Sequence, residues 1–404
     1  MVSPNMRSDF DLRLNAMAGV IVRIGLNLQP GQPLLISDPY ELQGIHPETA
    51  PLIEAIRSVA PGETSVITAD PARLRALVEA DDLAGFAALV AANARRMREH
   101  LAKGGAFLFL PGAHPHLLSG LPADRLSRFD AIKWQHLGPL IQRLIRGASQ
   151  WTLVPVPTTT WAAIAFKDLA PAGQLNALWE SVFQAMRVSG VSAGLNQHPA
   201  ASPDDPIMAW QTHLAAIARR RDELNAARHR RIRYIGPGTE LTLELPRTHV
   251  WCTAQLKTKS GVSFVVNLPT EEIFTAPHKR SATGRLRLVH PVTHGGAPIE
   301  GIELLFRGGR VTTAMAATNN GLLQRLLATD DGADRIGEVA LVPGKDGLRW
   351  SDRCHHHTLL DENARPHVAL GDAYRFCSRA FLPLALNSSQ IHLDLPLDAK
   401  VELL

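Results

Sequence analysis

Cysteine is scarce in this 404-residue chain: Cys252, Cys354 and Cys377 are the three, and no two share a CxxC spacing. An odd number at such spacings argues against a disulfide framework or a zinc knuckle and fits a reducing compartment. Long hydrophobic runs are lacking too. No stretch reaches about 18 apolar residues, so no membrane-spanning helix is expected. The opening MVSPNMRSDFDLRLNAMAG carries acidic residues where a secretory signal needs an unbroken apolar segment, and a cytoplasmic location is expected. Neither sign of charge dominates: 42 Lys and Arg stand against 38 Asp and Glu, a net +4. Without clustering, that excess gives no field for a nucleic-acid partner. The densest basic stretch, Arg219-Arg220-Arg221 followed by Arg228, Arg230, Arg231 and Arg233, is interspersed with Ala and Leu and reads as a solvated helix face. Internal repeats and low-complexity tracts are absent. The histidines at 355–357 form too short a run for a metal tract and read as surface loop residues.

What is present is the composition of a folded, soluble protein, 45% apolar and 20% charged. The length exceeds one ordinary core, so two or three domains are expected. Residues 1–165 alternate short apolar strands (33–37, 64–68, 105–110, 151–155) with helical segments (11–28, 50–59, 71–79, 83–102, 130–146), the pattern of an α/β domain with a parallel sheet. Residues 166–233 read as a helical connector with a Pro/Asp break at Ser202–Pro206. From 234 to 404 the pattern changes to Gly/Pro turns and alternating strands, a second domain of α+β character.

In this last region polar residues interrupt patterns that predict burial, a conflict that tends to mark functional sites. In Ile391-His392-Leu393-Asp394-Leu395, period-two alternation puts His392 and Asp394 on one strand face. That is half of a site for zinc, cobalt or manganese, or else an ion pair on a solvated sheet. Glu338 interrupts the apolar strand Ile336–Val342, where an unpartnered carboxylate is costly. Glu271 and Glu272 are adjacent acids that point to opposite sides in extended backbone, or cap a short helix. Pro366 suits the first turn of a helix, with His367 at its start and Glu362 in the preceding loop, a metal half-site or else an ordinary helix capped by Asp361 or Asn363. Tyr374 would then lie two turns on, within about 20° of His367 on the helix face.

The strings NLPTEEIFTAP, IEGIELLF, LATDDGADRIGEVALVP, TLLDENARPHVALGDAY and IHLD resemble, in order and style, the thermophilic-type metalloaminopeptidases, the family of aminopeptidases T and S and PepS. The pieces IVRIGLNLQPGQPLLI, WTLVPVPTTTWAA and RYIGPGTELTLELP extend the resemblance over almost the whole chain. It implies a site for two divalent ions (zinc, cobalt, manganese or magnesium) held by Glu272, Glu338, Glu362, His367, His392 and Asp394. It also implies removal of N-terminal residues from peptides by a hydroxide shared between the ions, with Glu338 bridging and Tyr374 near the developing oxyanion. Apart from the resemblance, Glu271, next to Glu272 but unable to share its direction in extended backbone, is a weaker candidate for general base. A homodimer acting on a peptide or other small molecule is implied, with no nucleic-acid or membrane partner. Three departures stand out: Leu395-Pro396-Leu397 where the family has an aromatic, Met, Ile and Gly; Cys354-His355-His356-His357 where it has aromatics and Asn; and a short 375–389 segment. On these grounds the closing C-terminal strands are expected to be missing or altered. Two further readings are a mononuclear iron ring-cleaving dioxygenase or hydrolase of a non-peptide on the same scaffold, and a non-catalytic binding protein. The dioxygenases have a reduced ligand set, whereas all six positions are filled here.

Overall fold

The computed structural model describes residues 4–188, 205–342 and 353–404. Contacts group the chain into two compact units: Met1–Leu117 with Arg128–Ala215 and Ala254–Pro269, and Leu118–Ser127 with Ala216–Thr253 and Thr270–Leu404.

The first unit is built on strands β1 (Leu34–Ser37), β2 (Thr64–Val66), β3 (Ala106–Phe109) and β4 (Trp151–Leu153), all parallel in the order β2-β1-β3-β4. β1 and β3 are buried at every residue, as strands covered on both faces must be. Helices Ala50–Val59, Pro71–Glu79 and Leu83–Ala102 make the crossovers, as the apolar periodicity predicts, and Asp70 and Asp82 accept backbone N–H groups at two of their starts. Of the break expected at Ser202–Pro206, residues 202–204 lie outside the described residues, and a helix begins at Pro206. No helix among the described residues is long and apolar enough to cross a membrane.

The strand-rich part of the chain contains β5 (Arg231–Gly236), β6 (Thr239–Glu244), β7 (Gln255–Lys257), β8 (Ser263–Val265), β9 (Ile273–Thr275) and β10 (Thr283–Arg287). It continues with β11 (Val292–His294), β12 (Ala297–Ile299), β13 (Glu303–Arg307), β14 (Arg310–Met315), β15 (Ile336–Leu341), β16 (His367–Gly371), β17 (His392–Pro396) and β18 (Lys400–Leu403). Two sheets dominate the second unit: a six-stranded one, β14-β13-β10-β6-β5-β18, and a four-stranded one, β17-β16-β15-β9, antiparallel throughout. A C-terminal strand is present: β18 pairs with β5, Val401 opposite Tyr234, which corrects the missing-strand half of the expectation. Val401 and Leu403, alternating with Lys400 and Glu402, give this stretch the half-buried edge pattern that pairing needs.

Candidate metal centre

The register of the four-stranded sheet collects the acidic and imidazole side chains on one face. Residues directly opposite on antiparallel strands share a face, and so do residues two apart on one strand. Glu338, Ala369 and Asp394 lie in one cross-strand row, Gly371 and His392 in the next, and Phe274, Ala340 and His367 in a third. Alternation back from Phe274 brings Glu272 to the same side. Ala340, Ala369 and Gly371 are small, which leaves room between the larger groups. A bulge between Ile336 and Glu338 sets this register. Gly337 occupies it, where any Cβ would run into the carbonyl oxygens of Gly371 and Asp372.

The result is two donor groups that share one residue. Glu272, Glu338 and His367 form one, and Glu338, His392 and Asp394 the other, the donor atoms of each lying within 4.8 Å of one another. His367 Nε2 is 3.2 Å from Glu272 Oε2 and 3.6 Å from Glu338 Oε1. His392 Nε2 is 3.3 Å from Asp394 Oδ1 and 3.8 Å from Glu338 Oε2. That second Glu338 oxygen is buried and has no hydrogen-bond partner among the described residues.

The imidazoles are oriented from behind. His367 Nδ1 lies 3.1 Å from the carbonyl of Glu362 and 3.3 Å from that of Arg365, and His392 Nδ1 lies 3.0 Å from the carbonyl of Asp372. A carbonyl only accepts, so Nδ1 carries the hydrogen and a neutral ring turns its Nε2 lone pair toward the carboxylates. Lone pair against carboxylate is repulsive unless a proton or a cation sits between them. With no metal, protons fill that place. Burial works against charge on His367, yet the contacts with Glu272 and Glu338 hold its pKa well above the usual imidazole value. Burial likewise opposes charge on His392, and Asp394 and Glu338 carry it up to about 10. Burial lifts Glu338 despite the neighbouring imidazoles, and burial with the charges of Asp394 and Glu272 pushes Glu362 far above the carboxylate range. Four carboxylates and two imidazoles in so small a buried volume suit dications, which replace these protons and cancel the repulsion.

Not every placement follows the sequence reading. His367 does not start a helix. The helix Thr358–Ala364 ends before it, Arg365 is extended, and His367 opens β16, hydrogen-bonded on both sides by β15 and β17. Glu362 comes from that helix rather than from a loop and hydrogen-bonds Asp394. Tyr374 is beyond the strand, so shared helical phase with His367 does not apply. Its ring still lies 5.4 Å from that of His392 and stacks on Phe376. Glu271 is 1% exposed, with its N–H donated to Asn363 Oδ1 at 2.7 Å. The surface reading of the histidine run is corrected as well: His355 and His357 are buried, and both backbone N–H groups donate to the Asp361 carboxylate, at 2.7 and 3.0 Å. Sequence reasoning missed Tyr234, fully buried on β5, whose hydroxyl is 3.1 Å from the His367 carbonyl and 3.3 Å from that of Ala340. Its signal was alternation: Ile232 and Tyr234 share the inward face of β5.

Comparison with known proteins matches residues 10–402 to the thermophilic metalloprotease (M29) family. The chain is 34% identical to Aminopeptidase T of Thermus thermophilus over 395 residues, 95% of this chain and 92% of that protein. Against Aminopeptidase 2 of Geobacillus stearothermophilus the identity is 34% over 369 residues, 90% and 84% of the two chains. The solved structure of wild-type AmpT from Thermus thermophilus superposes with a TM-score of 0.82 at 30% identity, covering 98% of this chain and 96% of that one.

Proposed function

The chain belongs to the thermophilic metalloprotease (M29) family and is a metal-dependent aminopeptidase, and from that premise we propose that its two donor groups hold two divalent ions bridged by Glu338. The observation that carries this is the position of the Glu338 carboxylate, one oxygen facing His367 and the other facing His392. Glu272 and His367 complete one ion's protein ligands. His392 and Asp394, with Glu362 beside Asp394, complete the other's. Carboxylate and imidazole donors suit zinc, cobalt, manganese or magnesium.

Bound there, such a pair activates water and polarises the scissile carbonyl. The protein's own groups do the rest. Glu338 offsets the repulsion between like charges. The Tyr374 hydroxyl, on a ring 5.4 Å from that of His392, is the donor for the carbonyl oxygen as charge builds there. Glu271, buried next to Glu272 with its N–H donated to Asn363 Oδ1, is included in the proposal as the general base, although in extended backbone its carboxylate faces away from that of Glu272. The substrate's free amino group is received within the carboxylate cluster, which restricts cleavage to the first residue. We include in the proposal a homodimer in the cytoplasm, checked by light scattering and cell fractionation.

The deciding experiment pairs elemental analysis of the purified protein with a survey of aminoacyl arylamides, with and without added cobalt, manganese, zinc, magnesium or iron. Two ions per chain with amide cleavage support the proposal. A single tightly held iron with no amide cleavage would sink it.

A further inference from the structure

An aminopeptidase holds one side chain next to the scissile carbonyl, that of the residue it removes, and the surface beside the metal ligands decides which side chains fit. Three aromatic rings lie on that side. Phe274 belongs to the row of Ala340 and His367, and its ring centroid is 5.8 Å from that of Tyr374. Tyr374 is 5.4 Å from His392, and Phe376 stacks on Tyr374 at 5.2 Å with planes 15° apart. Phe274 and Tyr374 pack into the buried cluster formed with Ala340, Ala373, Cys377 and Leu386. Phe376 differs: it is 39% exposed, an apolar surface left open within one ring of a metal-ligand candidate.

The backbone beneath that ring is fixed. Val250 N–H donates to the Cys377 carbonyl at 2.8 Å, and the Cys252 thiol lies 3.9 Å from the Phe376 carbonyl. A held aromatic face gains most from a side chain large enough to cover it, and the carboxylates beside it repel an acidic one.

We propose that Phe376 is the specificity residue of this site, an apolar platform that selects peptides beginning with a large hydrophobic residue such as leucine over those beginning with alanine or an acidic residue. The inference rests on the aminopeptidase reading. Because this contact is made equally in the bound substrate and in the transition state, it acts mainly through KM.

The test compares leucyl and alanyl arylamides on the metal-loaded parent, Phe376→Ala and Phe376→Leu, with metal content and free-leucine affinity by calorimetry measured on each. Expected is a parent preference for leucine that falls about tenfold or more in Phe376→Ala, mostly in KM, with a clearly smaller fall on alanine and metal content unchanged. Phe376→Leu restores most of the preference, and free-leucine affinity follows it. An equal fall on both substrates, or a parent without preference for leucine, overturns the inference and leaves the aminopeptidase reading intact. A parent that cleaves neither arylamide overturns both.

Discussion

At the scale of single residues, Glu338 has no substitute, because its two oxygens face two different imidazoles. Glu338→Ala is expected to lose both ions, seen by elemental analysis. Outer-shell changes alone cost about 10- to 100-fold, so loss of the shared ligand lowers turnover by on the order of 100-fold or more. Two ions retained at near-parent turnover would remove the bridging role. Tyr374 calls for a finer measurement. Tyr374→Phe keeps the ring against Phe376 and His392 and deletes only the donor, so kcat falls by on the order of 100-fold while KM and metal content hold. A phenylalanine variant that turns over like the parent would mean that Tyr374 packs and does nothing more. Much at this scale was legible beforehand. A carboxylate inside Ile336–Leu341 and an imidazole two residues from an acid on an alternating strand are conflicts that a sequence displays. The run at 355–357 offered no such conflict: His355 and His357 are buried with their backbone N–H groups donated to the Asp361 carboxylate, a contact with no periodic trace.

Among elements, the misreading of His367 has a definite cause. Pro366 fits the start of a helix and equally the residue before a strand, and a seven-residue spacing to Tyr374 imitates helical phase. What decides is pairing: Val368, Ala369 and Leu370 are buried between β15 and β17, a central-strand environment that local pattern cannot distinguish from a buried helix. The parallel sheet of the first unit was readable because its crossover helices carry strong periodicity and Asp caps. Tyr234 illustrates what one element does for another. Its hydroxyl reaches from β5 to the carbonyls of Ala340 and His367, holding the two strands that bring Glu338 and His367 together. Tyr234→Phe leaves buried carbonyls with one donor fewer, a cost of about 1–3 kcal/mol in stability. It is also expected to weaken metal binding roughly 10-fold, with the circular dichroism spectrum unchanged. Metal affinity equal to the parent's in a calorimetric titration would confine Tyr234 to packing.

For the molecule as a whole, the ions and the fold are thermodynamically linked, since cations that bind only the folded centre raise its stability. Chelation should lower the melting temperature reversibly, and the direction of the pH dependence follows from the carboxylates. Without metal, Glu338 and Glu362 have folded pKa values above the ordinary carboxylate value. Their contribution is therefore fully present below the unfolded pKa and is lost as pH rises through the folded values. The metal-free protein thus loses stability toward neutral and alkaline pH, where the ions bind best because their ligands are deprotonated. Calorimetric scans with and without chelator from pH 5 to 9 should show the gap in melting temperature widening with pH. A gap that stays constant or narrows would contradict this account.

The carbonyls of residues 362, 365 and 372, which orient both imidazoles, bear on how such a centre drifts through mutation. A carbonyl is common property of all twenty amino acids, so no exchange of side chain at those positions deletes the acceptor itself. Only a change in the path of the chain can. Orientation of the ligands is in this respect sheltered from point substitution, and the surrounding sequence is free to diverge while the two rings keep their aim. Comparison of side-chain identities among relatives would overlook this role of residues 365 and 372, and at 362 would register only the carboxylate, whereas insertions or deletions between 362 and 372 are where such a lineage would be expected to lose its metals.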